Sequence, residues 1–225
     1  MTTVASLDRM IRARHLLKHP FYTAWSKGEL PLDTLGRYAE QYYRFESNFP
    51  RYVAATYARI PNPRLRRPLL ENLVDEEGRD PTHPELWLDF AAALGRSPGH
   101  VTRARPLPAT RALLRTYDRA AFARSPAAGL GALYAYESIF PEVAAEKSRG
   151  LREEYGITDP KAHEFFRVHT VADVEHSGAE RAVMRAVLRD RPADGRAMEL
   201  HCARSIDAWW RFLDAFVPSG TAGSN

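Results

Sequence analysis

Residues 169–176 read HTVADVEH and place His169, Asp173 and His176 at i, i+4 and i+7. At about 100° per residue the three side chains fall within roughly 60° of one another on an α-helix. Phe165, Phe166, Ala172, Ala179, Val183, Met184 and Val187 share the stripe, so three titratable groups point into an otherwise apolar interior. Leaving them buried and unpaired is expensive, and coordination to a metal is the commonest remedy.

Two more polar groups sit on apolar faces. In LYAYESIFPEVAAEK, Glu137 lies with Leu133, Tyr134, Phe140 and Ala144. In LVDEEGRDPTHPELW, Glu76 ends one helix and His83 opens the next, after the Asp80-Pro81 break. The candidate metal ligands are therefore Glu76, His83, Glu137, His169, Asp173 and His176. Three carboxylates supply −3 against +4 from two divalent ions, leaving +1 for a hydroxide, superoxide or anionic substrate to neutralise. Mixed carboxylate and imidazole donors suit iron or manganese, whereas structural zinc recruits thiolates and Cys202 is the single cysteine.

Each position also has a plainer reading. A lone buried histidine is more often a hydrogen-bonded core residue, and a glutamate on an apolar face usually finds one of the 28 arginines. Glu46, on the stripe of Leu35, Tyr38, Tyr42, Phe49 and Val53, reads as a structural ion pair in preference to a seventh ligand. Glu180, one turn beyond His176, reads as an outer group behind the ligands or as a helix-surface charge. There is no Gly-rich phosphate loop, no G-x-S-x-G and no Glu-x-x-His of the ferritin-like bundles.

The elements that must position these groups are helical. Nearly every segment shows the 3.6 period and none a sustained alternation of two, which predicts an all-α domain. Helices are expected at about 5–18, 20–27, 32–60, 64–79, 84–94, 109–123, 126–155, 160–189 and 193–216. Pro50 and Pro141 fall inside two of them and are expected to kink them. No internal repeat is evident. The reading is one domain over 1–218 and a disordered tail over 219–225.

Composition narrows the class. The 225 residues suffice for a sizeable core, and the single cysteine excludes an internal disulfide. No apolar run could span a bilayer and MTTVASLDRM lacks a secretory layout, so a soluble cytoplasmic protein with no membrane partner is expected. The net +4 is dispersed, and the densest knot (Arg64, Arg66, Arg67) has no aromatic platform, which argues against nucleic acid. Only four lysines occur, at 18, 27, 147 and 161, which singles out any lysine on a buried-looking segment.

The order Glu-x6-His, Tyr136-Glu137, His-x3-Asp-x2-His resembles the haem-oxygenase-like dimetal oxidases. Among them the chain is most similar to the p-aminobenzoate synthases related to the chlamydial protein associating with death domains, from His19-Pro20-Phe21-Tyr22 to about residue 216. The resemblance implies a helical bundle of the haem-oxygenase type, shared with thiaminase II and pyrroloquinoline-quinone synthase, and a homodimer. It implies two metal ions (Fe/Fe or Fe/Mn), with O2 and an external reductant as co-substrates. It also implies a self-sacrificing reaction for folate synthesis, in which Tyr22 supplies the ring and Lys147 the nitrogen. Tyr38 and Tyr136 match further active-site tyrosines, whereas Phe165 stands where another tyrosine is expected. Spacing alone would leave Tyr22 a core aromatic and Lys147 a solvated helix residue. A thiaminase is disfavoured because Cys202 does not match the nucleophile, and a metal-free quinone synthase because it would not need the histidine–carboxylate set. A multi-turnover oxidase of an external amino acid or fatty acid, and a non-catalytic partner-binding module, are the alternatives.

Overall fold

The computed structural model describes residues 2–217, so the tail over 219–225 lies outside the described residues. Among those described there are helices and turns and no strand. The α-helices are α1 (Val4–Ala13), α2 (Pro20–Trp25), α3 (Leu32–Glu46), α4 (Phe49–Ala58), α5 (Pro63–Glu77) and α6 (His83–Ala93). They continue as α7 (Pro98–Arg103), α8 (Pro108–Ala121), α9 (Pro126–Glu137), α10 (Phe140–Glu153), α11 (Pro160–Asp190) and α12 (Gly195–Asp214). Short 3-10 turns cover Leu16–Lys18 and Pro192–Asp194. No described helix is long and apolar enough to cross a membrane.

α9 is the axis. All twelve of its residues are buried, so it carries no polar face, and α12, α11, α8 and α4 pack around it. Gly131 permits a close approach of α12, because a Cβ there would collide with the Met198 carbonyl. Trp25, Trp87 and Trp209 are fully buried against this frame. Each such ring contributes about 1.5–3 kcal/mol or more through burial.

Two expected long helices are each divided. The segment 32–60 separates into α3 and α4, and 126–155 into α9 and α10. Pro50 and Pro141 do not kink a continuous helix; each sits in the first turn of a new one. Proline lacks the N–H that an interior position needs, whereas the first turn has no partner for that N–H anyway. The consequence is positional, because Glu46 and Glu137 become the last residues of α3 and α9. Between the helices expected at 84–94 and 109–123 the chain also forms α7, which opens on Pro98 with Ser97 as its cap.

Candidate metal centre

Three helix C-termini, one helix start and the middle of α11 converge on one buried region. Glu46 ends α3, Glu76 is the penultimate residue of α5, and Glu137 ends α9. His83 is the first residue of α6, where a Thr82–Glu85 capping box fixes the helix start. The Thr82 N–H donates to Glu85 Oε2 at 2.7 Å, and Pro84 presets the first turn. α11, about 46 Å long at 1.5 Å per residue, turns His169, Asp173, His176 and Glu180 inward.

These groups assemble as two neighbouring sets. Donor atoms of Glu46, Glu76, His83 and His169 lie within 4.8 Å of one another, and so do those of Glu137, Asp173 and His176. All six sequence-predicted ligands are present, but the α11 triad is divided, with His169 in the first set and Asp173 and His176 in the second. All seven donors are buried, none more than 7% exposed.

Glu46 corrects one expectation. It makes no ion pair with an arginine among the described residues; it is 2% exposed, its Oε1 has no hydrogen-bond partner, and it faces Glu76, His83 and His169. A sequence signal for it exists. Glu46-Ser-Asn-Phe-Pro50 and Glu137-Ser-Ile-Phe-Pro141 are one five-residue pattern used twice, contrary to the expectation of no repeat. Backbone angles at Ser47 and Ser138 agree (φ −66° for both), and those at Asn48 and Ile139 are close (φ −106° and −117°). Glu180 is likewise no surface charge: it is 2% exposed and lies against Glu137, whose charge adds to burial in raising its pKa.

Supporting contacts aim the donors. His169 Nδ1–H donates to the Phe165 carbonyl (2.7 Å), which leaves Nε2 as its free lone pair. His176 Nε2–H donates to Asp75 (3.0 Å), turning Nδ1 toward Asp173 and Glu137 at 3.6 and 3.9 Å. Asn72 Nδ2 donates to Glu137 Oε1 at 2.6 Å.

The electrostatics call for cations. Burial pushes the Glu76 carboxyl up to about 8 and the Asp173 carboxyl to about 7, with the Glu137 charge adding to both. Burial likewise raises Glu46, Glu137 and Glu180, and it depresses His83 and His169. Burial also pulls His176 down, but the carboxylates of Asp173, Glu137 and Asp75 outweigh it and raise its pKa to about 9. Glu46, Glu76 and Glu137 further stand at the negative ends of helix dipoles, which disfavours anions there. Orphaned atoms make the same point: Glu46 Oε1, Glu137 Oε2, Asp173 Oδ2 and His176 Nδ1 are buried without a hydrogen-bond partner, and His83, whose Nδ1 lies 3.0 Å from Glu76 Oε2, has none at Nε2. Lone pairs left facing inward in this number fit metal coordination. With Glu46 included, four carboxylates balance two divalent ions, and the residual +1 of the six-ligand count disappears.

Beside the first set lies an aromatic chamber around Lys147. Its amine is fully buried and has no hydrogen-bond partner. It stands 4.5 Å from the ring centre of Tyr42, 5.2 Å from Tyr38 and Trp87, 5.0 Å from Phe140, and 5.7 Å from Tyr22 and Phe166. Burial holds its pKa well below the usual lysine value, and Glu46 only partly offsets this. The Trp25 indole donates to the Lys147 carbonyl (3.2 Å), fixing α10 at this point. Tyr22 and Tyr38 hydroxyls are 3.2 Å apart, and burial raises the pKa of both. The structure thus brings Tyr22, Tyr38 and Lys147 together. Tyr136 joins through a hydroxyl contact to Tyr42 and stacks on Trp209 at 5.0 Å. Tyr42 joins this chamber as well, a role its sequence marks only by Tyr38, Tyr42 and Glu46 following at i, i+4 and i+8 on one face of α3. Phe165, which has no hydroxyl, lies 4.1 Å from the His169 ring.

Fold and donors define a class, the all-helical bundles built around a candidate histidine–carboxylate dimetal centre. The profile of the family described as "iron-containing redox enzyme" matches residues 36–210, and the chain belongs to that family. It is 38% identical over 224 residues to a 4-aminobenzoate synthase of Chlamydia trachomatis, with 100% of this chain and 96% of that protein covered. A 4-aminobenzoate synthase of Nitrosomonas europaea is 40% identical over 217 residues, covering 92% of this chain and 88% of that one. Among solved structures, a domain from Shewanella denitrificans with a haem-oxygenase-like fold superposes with a TM-score of 0.75 at 18% identity, covering 94% and 89%. That likeness shows the fold.

Proposed function

We propose that this protein is a 4-aminobenzoate synthase that consumes its own Tyr22 and Lys147. The observation that carries the reading is the Lys147 amine, unpartnered and walled by the Tyr22, Tyr38 and Tyr42 rings next to Glu46 and the first donor set. The relatives named 4-aminobenzoate synthase, at 38–40% identity over most of the chain, support it.

Glu46, Glu76, His83 and His169 would hold one ion, and Glu137, Asp173 and His176 the other. When bound, iron (or iron with manganese) supplies O2 activation and the oxidising equivalents. The residues do the remainder. Desolvation keeps the Lys147 amine neutral, so its lone pair is available for bond formation to carbon. Tyr22 Oη keeps its proton, because burial pushes its pKa above the usual 10, and Tyr38 Oη at 3.2 Å is placed to accept that proton. Trp87, Phe140 and Phe166 exclude water around the amine.

The test is isotopic. Protein carrying ring-13C tyrosine and 15N lysine is loaded with metal, given reductant and O2, and its product analysed by mass spectrometry. Doubly labelled aminobenzoate, at no more than one per chain, is expected. Unlabelled product, or several per chain, would instead indicate a multi-turnover oxidase.

A further inference from the structure

A second concave site lies away from the donor sets. It is a cleft of about 450 Å3, a volume common for small-molecule sites, between α1, the Leu16–Lys18 turn, the α9–α10 junction and α11. Two polar atoms in its lining are buried without an aligned hydrogen bond. His15, 8% exposed, accepts the Leu17 N–H at Nδ1 (3.2 Å), so its ring hydrogen is on Nε2. That Nε2 has no hydrogen-bond partner; it lies 3.3 Å from a Glu142 carboxylate oxygen without aligning to it. Ser138 Oγ is the other orphan.

Two cations stand at the lip. Arg12 and Lys18 are exposed, and the Lys18 ammonium is tied down by donating to the Arg12 carbonyl at 2.8 Å. Neither has a carboxylate partner among the described residues. The cleft's Asp8 cannot neutralise them, since it is already committed to Arg181 at 3.1 Å and to the Tyr134 hydroxyl. Ile11, Leu17 and Ile139 supply apolar wall. The lining therefore carries Arg12, Lys18 and Arg181 against Asp8 and Glu142, a net positive charge, beside two inward polar groups and an apolar wall. That combination recognises a carboxylate on an apolar ring. Ser138 and Ile139 follow Glu137 directly, so the cleft backs onto the junction that carries Tyr136 and Phe140 toward the Lys147 chamber.

We infer that this cleft is a docking site for a small aromatic carboxylate of aminobenzoate size, where the product is held on release. The identity of the ligand rests on the synthase reading above; the cleft and its chemistry do not.

The experiment is calorimetric titration of 4-aminobenzoate into the metal-loaded full chain under anaerobic conditions, beside the uncharged analogue 4-aminobenzamide. The variant is Arg12→Ala/Lys18→Ala, two exposed residues, with its thermal midpoint as a folding control. Saturable binding with Kd at or below about 1 mM is expected, at least tenfold weaker for the amide and for the variant. No saturation, or equal affinity in the variant, overturns the assignment. The labelled-product assay is read separately. Aminobenzoate formed by a protein that does not bind it here removes the cleft alone, and carboxylate binding without any aminobenzoate formed removes the synthase reading alone.

Discussion

Replacing Glu46 by glutamine should move metal affinity and apo stability in opposite directions. The carboxylate is 2% exposed, has an orphaned oxygen, and sits within 4.8 Å of three other donor atoms. A unit charge about 4 Å from another interacts by roughly 4 kcal/mol at an effective dielectric of 20. The divalent charge doubles this, and desolvation of the carboxylate takes back a comparable part. A loss of about 4 kcal/mol, close to a 1000-fold rise in Kd, is therefore expected for one ion. In the apo protein the sign reverses. Burial raises the Glu46 pKa well above its usual value, so the ionised group opposes folding near neutral pH, and glutamine removes that penalty. A gain of about 1–3 kcal/mol should raise the apo midpoint by about 2–4 °C per kcal/mol. Metal titration with a competing chelator and calorimetry of the stripped protein read the two effects. A variant that binds two ions as tightly as wild type but melts lower when stripped would refute the reasoning and restore the structural ion pair.

Other outcomes follow from the same geometry. Asn72→Ala removes the 2.6 Å hydrogen bond that orients Glu137, and should weaken one metal site about 10–100-fold while the other is retained. Lys147→Met replaces an unpartnered buried amine with an apolar chain of similar length. It should stabilise the protein by about 1–3 kcal/mol, measured in urea, and abolish aminobenzoate formation. The pH slope gives an independent check on Lys147. Its folded pKa lies well below 10.5, so the unfolded chain binds the extra proton between the two values and wild-type stability rises with pH across that window. Lys147→Met should lose this rise, and identical slopes would show a charged lysine in the fold. Chelation should release amide-exchange protection over 165–180, where α11 turns its polar face inward, and full protection after chelation would contradict this.

The sequence reveals some parts of this site and hides others for identifiable reasons. α11 is legible because His169, Asp173 and His176 are local, and a 3.6 period fixes their common face. His83 is legible because the Asp80-Pro81 break places it at the opening of the next helix. The division of the α11 triad between two sets is not legible, because it depends on where α3, α5 and α9 end in space. Glu46 is hidden because a glutamate on an apolar stripe has many arginines to choose from; only its repeat of the Glu137 pattern marks it. Pro50 and Pro141 carry the same lesson. Proline announces a break, but whether the chain kinks or restarts depends on the packing that a new helix gains, and here the restart leaves each glutamate at a helix end. The Lys147 chamber is assembled from α2, α3, α6, α10 and α11, so no window of sequence displays it.

Two ions are expected in two specific sets of side chains. Crystals of protein loaded anaerobically with Fe(II) and measured at the iron absorption edge test it directly. Two anomalous peaks are expected, one among Glu46, Glu76, His83 and His169 and one among Glu137, Asp173 and His176. A single peak, or iron bound elsewhere on the molecule, would contradict it.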